Sequence, residues 1–183
     1  MKFLSQNFEI TKYGVTARLV NENDAEFITQ LRSDARLGRY IHASNGDVEA
    51  QRKWIEGYKQ REKEGLEYYL IFLKDKHPYG LCRIYNIDWL HLSYTGGSWM
   101  CAYGTSIEDM LLTTYITSHV AIDVLGLAVN IYEVMKDNKP VLKYHRNILK
   151  AYEYAETDEF YLFMSTPETR KNSKLKKYLG ITD

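Results

Sequence analysis

Asn138, Tyr144 and His145 follow one another at spacings of six and seven residues, in a segment that carries Pro140. An apolar run, residues 130–135, ends just before this asparagine, so a strand feeding straight into a helix is expected there. A junction of that kind is a natural cofactor site, because the helix begins with backbone N–H groups that have no partner inside the helix. Seven helical residues make about two turns, which puts Asn138 and His145 on one face. An amide that can bond a cofactor, beside an imidazole and a phenol that can hold or move a proton, is the chemistry this face offers. The plainer alternative stands beside it: Asn138 or Asp137 caps the helix, and Tyr144 and His145 are the core and surface residues of an amphipathic helix.

A second junction lies at residues 99–110. Trp99, Met100, Cys101 and Ala102 end a strand-like run, Tyr103, Gly104, Thr105 and Ser106 form a loop, and an apolar helix follows. Helix-start N–H groups next to a glycine can cradle a phosphate. The same residues also read as a capping box, Thr105 and Ser106 with Glu108 and Asp109, and those carboxylates would repel a diphosphate unless turned away. Asp88, His91 and His42 fall in loops, where reactive groups concentrate, and each is a candidate base. No Ser/His/Asp or Cys/His nucleophile pattern and no paired-His metal spacing occurs. Metal chemistry and covalent catalysis are therefore not expected.

The elements that must position these groups follow from periodicity. Val15–Val20 reads as a first strand and residues 24–31 as a short helix. A Gly-, Ser- and Asn-containing loop at 38–47 precedes a helix in which Gln51, Trp54, Ile55 and Tyr58 share a face. Residues 67–73 are too uniformly apolar for a surface strand, and 79–85 return as their hairpin partner across the turn 74–78. A strand at 94–102 follows, then a helix at 107–125 that is apolar on nearly every side and closed by Gly126. A strand at 130–135, a helix at 138–149 and a hairpin of residues 151–155 and 160–164 complete the pattern. Residues 166–183 carry Arg170, Lys171, Lys174, Lys176 and Lys177 and are expected to form a solvated basic tail. With no repeats or linker-like shift, residues 1–183 read as one α/β (α+β) domain, with its core at 13–165.

The 183 residues, 45% hydrophobic and 26% charged, match an ordinary soluble globular chain. Lys+Arg and Asp+Glu balance at 24 each, which argues against nucleic acid or an anionic membrane as partner. No run approaches the about 20 apolar residues of a membrane span, no leader pattern opens the chain, and two cysteines make no disulfide framework. A reducing, cytoplasmic setting is expected. Sixteen tyrosines suit the walls of a semi-polar pocket and make a homodimer plausible.

In combination, these features resemble the GNAT acyltransferase superfamily, in particular its branch of ribosomal-protein-type and nucleotide-sugar N-acetyltransferases. The resemblance covers residues 13–165 and rests on weak matches in the right order. They are Thr16-Ala-Arg18 with Asp24-Ala-Glu-Phe-Ile, Gln51-Arg-Lys-Trp54-Ile, Tyr79-Gly80-Leu-Cys-Arg-Ile-Tyr85, Gly97-Ser98-Trp99, and Glu133-Val134 through Asn138 with Tyr144-His145.

The resemblance implies a mixed, mostly antiparallel sheet whose central strands splay into a V that takes acetyl-CoA. It places the pantetheine beside Trp99, Met100, Cys101 and Ala102, the pyrophosphate on residues 103–109, and Asn138 against the cofactor. His145 falls where many members carry a tyrosine that protonates the departing thiolate. The chain departs from the pattern in two places: the phosphate loop keeps Gly104 alone, and Leu149-Lys150-Ala151-Tyr152 stands where Gly-Phe is usual. The implied activity is direct transfer of acetyl from acetyl-CoA to a primary amine, without a covalent intermediate or metal. Tyr85, Trp89, His91 and Tyr94, with the His42 loop, suit a small amine such as an amino sugar on a nucleotide carrier. A protein N-terminal amine, or a CoA-binding module without catalysis, are the alternatives.

Overall fold

Val15, Ala17 and Leu19 alternate with Thr16 and Arg18, and the strand they form, β2 (Val15–Leu19), buries the first set completely. The computed structural model describes residues 3–38 and 46–182; His42 lies outside them. Ahead of β2 runs an unexpected edge strand, β1 (Glu9–Lys12), whose single strong apolar residue, Ile10, gives little period-two signal. Tyr13 and Gly14 join the two with positive φ at both positions, as a tight hairpin turn demands.

Helices α1 (Ala25–Ser33), α2 (Ala35–Gly38) and α3 (Val48–Lys63) come next, then β3 (Tyr68–Lys74), β4 (His77–Asp88) and β5 (Ser93–Cys101). Helix α4 (Ile107–His119) runs on as a wider π turn through Val124, and Gly126 at φ +80° ends it. Strand β6 (Val129–Met135) leads into α5 (Lys139–Tyr144), which also widens, as a π turn over His145–Leu149. The hairpin β7 (Tyr152–Glu156) and β8 (Phe160–Ser165) and short helices α6 (Pro167–Lys171) and α7 (Leu175–Tyr178) follow.

The eight strands form one sheet in the order β1-β2-β3-β4-β5-β6-β8-β7. Every neighbouring pair is antiparallel except β5 and β6. This is the expected mixed, mostly antiparallel sheet. Its two faces are covered by different helices. Leu112, Ile116 and Val120 of the α4 segment pack on Leu70, Phe72, Cys82 and Ile84. Ile28, Leu31, Ile55 and Tyr58 of α1 and α3 pack on Tyr69, Ile71, Leu81 and Met100. Strand β3 is thus buried on both faces, which explains its continuous apolar run.

The C-terminal residues depart from the expected solvated tail. Leu175 of α7 is buried against Leu111 and Tyr144, and Arg170 donates to the Ala128 carbonyl at 2.8 Å. The lysines that suggested a free arm share their segment with Leu175 and Leu179, whose apolar surface finds this partner. No helix among the described residues is long and apolar enough to cross a membrane.

Candidate active site

Strands β5 and β6 run parallel but are paired at only two positions, Ser93 with Val129 and Tyr94 with Asn130. The Asn130 side chain adds one more link, accepting from the Gly96 N–H at 2.8 Å. Beyond that point the strands separate, leaving a wedge that opens toward Cys101 on one arm and Met135 on the other.

The β5 arm is bulged. Between the pairs Arg83–Gly97 and Leu81–Met100, β4 advances two residues and β5 three. Ser98 absorbs the extra residue with φ +51°. A bulge takes backbone polar groups out of the ladder and re-aims the strand, a common device beside reactive centres. Gly97 leaves room for Tyr85 here: a Cβ would lie 2.8 Å from the Tyr85 hydroxyl oxygen and push the ring aside.

The β6 arm supplies an aromatic cluster. The Tyr132 hydroxyl lies 2.8 Å from His145 Nδ1, and the imidazole stacks on Phe163 at 5.6 Å between ring centres. Burial pushes the His145 pKa down to about 3, so the ring is neutral across the physiological range. Burial raises the Tyr132 phenol well above its ordinary value, so that hydroxyl keeps its proton. In the tautomer that carries the imidazole proton on Nε2, this hydroxyl donates to Nδ1. Tyr144 turns the other way. Its ring packs 5.3 Å from that of Trp99 on the opposite arm, and its hydroxyl is 2.6 Å from Thr114 Oγ1 on α4.

Residues 102–106 lead into α4 at the mouth of the wedge. Ser106 caps the helix, its hydroxyl accepting from the Asp109 N–H at 3.0 Å. The Asp109 carboxylate is held by Lys74 Nζ at 2.8 and 2.9 Å, so its charge is met from β3 and does not face the loop uncompensated. Gly104 takes φ +83° with open space around it. Arg36 of α2 lies over the Tyr103 ring at 4.4 Å and brings a guanidinium to the same loop. A helix N-terminus, an exposed glycine and a neutralised acid suit a diphosphate.

The GNAT acetyltransferase domain model matches residues 15–148. A solved structure described as apo FdhC, a nucleotide-linked sugar GNAT, is 31% identical, with TM-score 0.84 over 96% of this chain and 99% of that one. The chain belongs to the GNAT acetyltransferase family. More distant GNAT structures share the fold. The Vibrio fischeri ribosomal-protein-S5-alanine acetyltransferase is 14% identical, with TM-score 0.72 over 87% of this chain and 97% of that one. The Vibrio cholerae spermidine N-acetyltransferase, solved with CoA and spermine, is also 14% identical, with TM-score 0.67 over 88% and 100%. None of the curated proteins matches the sequence. As a GNAT member the chain is an N-acetyltransferase.

Set on the GNAT wedge, the residues singled out by sequence fall into two groups. Trp99, Cys101, Ala102, Tyr103, Gly104, Thr105, Ser106, Asn138, Tyr144 and His145 lie along the wedge arms and its mouth. Met100 does as well, but its side chain is buried under α1 and α3, so only its backbone faces the opening. The Asn138 side chain makes no helix-cap bond, so the capping alternative does not describe it. Cys101 has its thiol pushed up to about 12 by burial and is no nucleophile.

Asp88 and His91 fall elsewhere, in the β4–β5 turn at the closed end. The Asp88 carboxylate accepts from the Leu90 and His91 N–H groups and lies 2.6 Å from His91 Nδ1, so it closes the turn. Trp89 is pinned there too, donating to the Gly65 carbonyl at 3.0 Å and packing on Phe3. Tyr85, by contrast, stands over Gly97 beside the bulge. Asn130, Tyr132, Lys74 and Arg36 were not singled out by sequence. The signals were faint: an asparagine heading a strand, a tyrosine within one, a lysine whose acid lies thirty-five residues on, and an arginine already paired with Asp34.

Proposed function

We propose that the chain transfers an acetyl group from acetyl-CoA directly to the primary amine of a small acceptor, an amino sugar on a nucleotide carrier. The observation that carries the reading is the wedge itself. A bulged β5 stands on one arm, the Tyr132–His145 pair on the other, and, at the mouth, a helix start whose Asp109 is paired with Lys74. The nucleotide-sugar acceptor is supported by the 31% identity, over nearly the full length of both chains, to a GNAT described as acting on a nucleotide-linked sugar.

Acetyl-CoA, when bound, supplies the acetyl group as an activated thioester. Residues 99–102 would run beside its pantetheine, residues 103–109 would receive its pyrophosphate, and Asn138 would bond it at the end of β6. Backbone groups released by the bulge would polarise the acyl oxygen. Because burial keeps His145 uncharged, it would donate an Nε2–H hydrogen bond to the leaving sulfur rather than act as a cationic acid, and the proton lost by the amine would end on that sulfur. Holding a neutral amine at the bulge supplies the remaining catalysis by orientation. A cytoplasmic location and a homodimer belong to the same proposal, the first supported by two free cysteines.

Calorimetry with acetyl-CoA, followed by thiol release with nucleotide-linked amino sugars, polyamines and N-terminal peptides, tests this reading. Turnover is expected with the first group. Binding of acetyl-CoA without turnover of any amine would make the chain a non-catalytic module, and preference for peptides would replace the sugar acceptor with a protein one.

A further inference from the structure

A cavity of about 380 Å³ opens on the α1/α3 side of the sheet, beside the bulge. Its walls include Arg61, Glu67, Arg83, Tyr85 and Asn86. Arg83 pairs in register with Gly97, and Tyr85 stands directly over Gly97, so the cavity is continuous with the β5 arm of the wedge.

Its charges are held with unusual care. Arg83 sits within a cage of aromatic rings, 5.2 Å from Trp54, 5.7 Å from Tyr69 and 4.9 Å from Tyr85. Nη2 of Arg83 and Nε of Arg61, the latter at 2.5 Å, both donate to the nearly buried Glu67 carboxylate. Two guanidiniums against one carboxylate leave a net positive charge. Each arginine spends one donor on Glu67, and a guanidinium carries five. Among the described residues Arg83 Nε is buried without a hydrogen-bond partner, out of a ligand's reach, so the donors the cavity can offer are the outer guanidinium nitrogens not taken by Glu67. The rings take up the cationic face of Arg83, so what remains to be met is an acceptor in the plane of the guanidinium. A phosphate oxygen has that geometry.

We propose that Arg61 and Arg83, fixed by Glu67 and the aromatic cage, form the subsite that grips the diphosphate of the acceptor's nucleotide carrier. The assignment rests on the reading that the acceptor amine reaches the bulge from this face. It deepens that reading by naming the residues that hold the carrier. Glu67 then acts as a positioning residue, fixing both forks while cancelling one charge. Its carboxylate is also the one group in the cavity that would instead suit a polyamine.

The test uses the full chain saturated with CoA, so that a diphosphate cannot enter the cofactor's own phosphate site. Calorimetric titration with uridine diphosphate is expected to show binding, and titration with uridine or spermidine none. Arg61→Gln, a change at a partly exposed side chain, and Arg83→Lys, which keeps the charge but loses the planar fork, should each weaken uridine diphosphate binding about tenfold or more. Acetyl-CoA affinity should stay unchanged in both. Uridine binding as tightly as its diphosphate, spermidine binding in its place, or diphosphate binding indifferent to Arg61→Gln would overturn the subsite. A protein that binds acetyl-CoA but no diphosphate overturns this assignment alone, whereas one that binds no acetyl-CoA overturns the acetyltransfer reading beneath it.

Discussion

Tyr132 of β6 and His145 of the widened end of α5 meet at 2.8 Å, phenol oxygen to imidazole Nδ1. With Nδ1 held by Tyr132, Nε2 is the ring nitrogen left to bond elsewhere, so Tyr132 determines which atom His145 offers. Replacing Tyr132 with Phe should lower kcat more than it raises KM for acetyl-CoA, because ring orientation and not cofactor contact is lost. Steady-state kinetics decide this, and equal loss with Tyr132→Phe and His145→Phe would show the two acting as a unit.

The imidazole also has a signature in stability. Its pKa is near 3 in the folded protein and near 6.5 unfolded, so below pH 6.5 the unfolded chain takes up a proton that the folded one does not. His145 therefore costs nothing above about pH 6.5 and destabilises progressively as pH falls toward 3, by a few kcal/mol at most. Thermal melts of His145→Phe should fall less steeply between pH 6.5 and 4 than those of the parent. No rate inflection near pH 6.5 is expected from this residue.

At the closed end of the wedge, Asn130→Ala removes the acceptor of the Gly96 N–H. The expected cost is about 1–2 kcal/mol, or a Tm lower by about 2–8 °C for a chain of this size. A rise in KM for acetyl-CoA should accompany it, and scanning calorimetry with a cofactor titration reads both.

Gly97→Ala forces a Cβ to 2.8 Å from the Tyr85 hydroxyl oxygen and 2.9 Å from its Cε1. Displacing the ring should cost about 1–3 kcal/mol. Because the clash is between two side chains, Gly97→Ala with Tyr85→Ala should cost less than the sum of the single changes. Urea unfolding of the four proteins in the cycle measures the coupling.

Lys74→Met should cost under about 1 kcal/mol of stability, since the lysine is half exposed. It should nonetheless weaken acetyl-CoA binding, by leaving Asp109 uncompensated at the phosphate loop. Adding Asp109→Asn should restore the affinity, which a cofactor titration of the double variant reads.

Most of the fold was legible because its elements carry strong periods. The continuous apolar run of β3, the all-round apolar α4 and the strand-to-helix passage at β6 follow from residue spacing alone. Strand β1 was not legible, since Glu9-Ile-Thr-Lys12 is an exposed edge whose pairing depends on β2. The basic residues near the C-terminus masked Leu175, whose burial is set by a surface assembled from α4 and α5.

The wedge's lining was legible where one segment supplies it, as in the placement of Asn138 and His145 just after β6, and illegible where two distant segments do. Asp109 read as a threat to phosphate only because Lys74, thirty-five residues earlier, is not visible from the loop. Asp88 and His91 read as reactive because a turn that consumes a carboxylate looks, in sequence, like a loop that offers one.

The two backbone pairings between β5 and β6 have a mechanical meaning. Five strands lie to one side of that seam and three to the other, so the two parts of the sheet are joined along a short spine. Rotation about such a spine is magnified toward the free edge. A change at Asn130 too small to disturb its own surroundings would shift the two parts most where the cofactor's far end lies. The grip on the cofactor's phosphate end should therefore be tuned from the spine, by residues that never touch it.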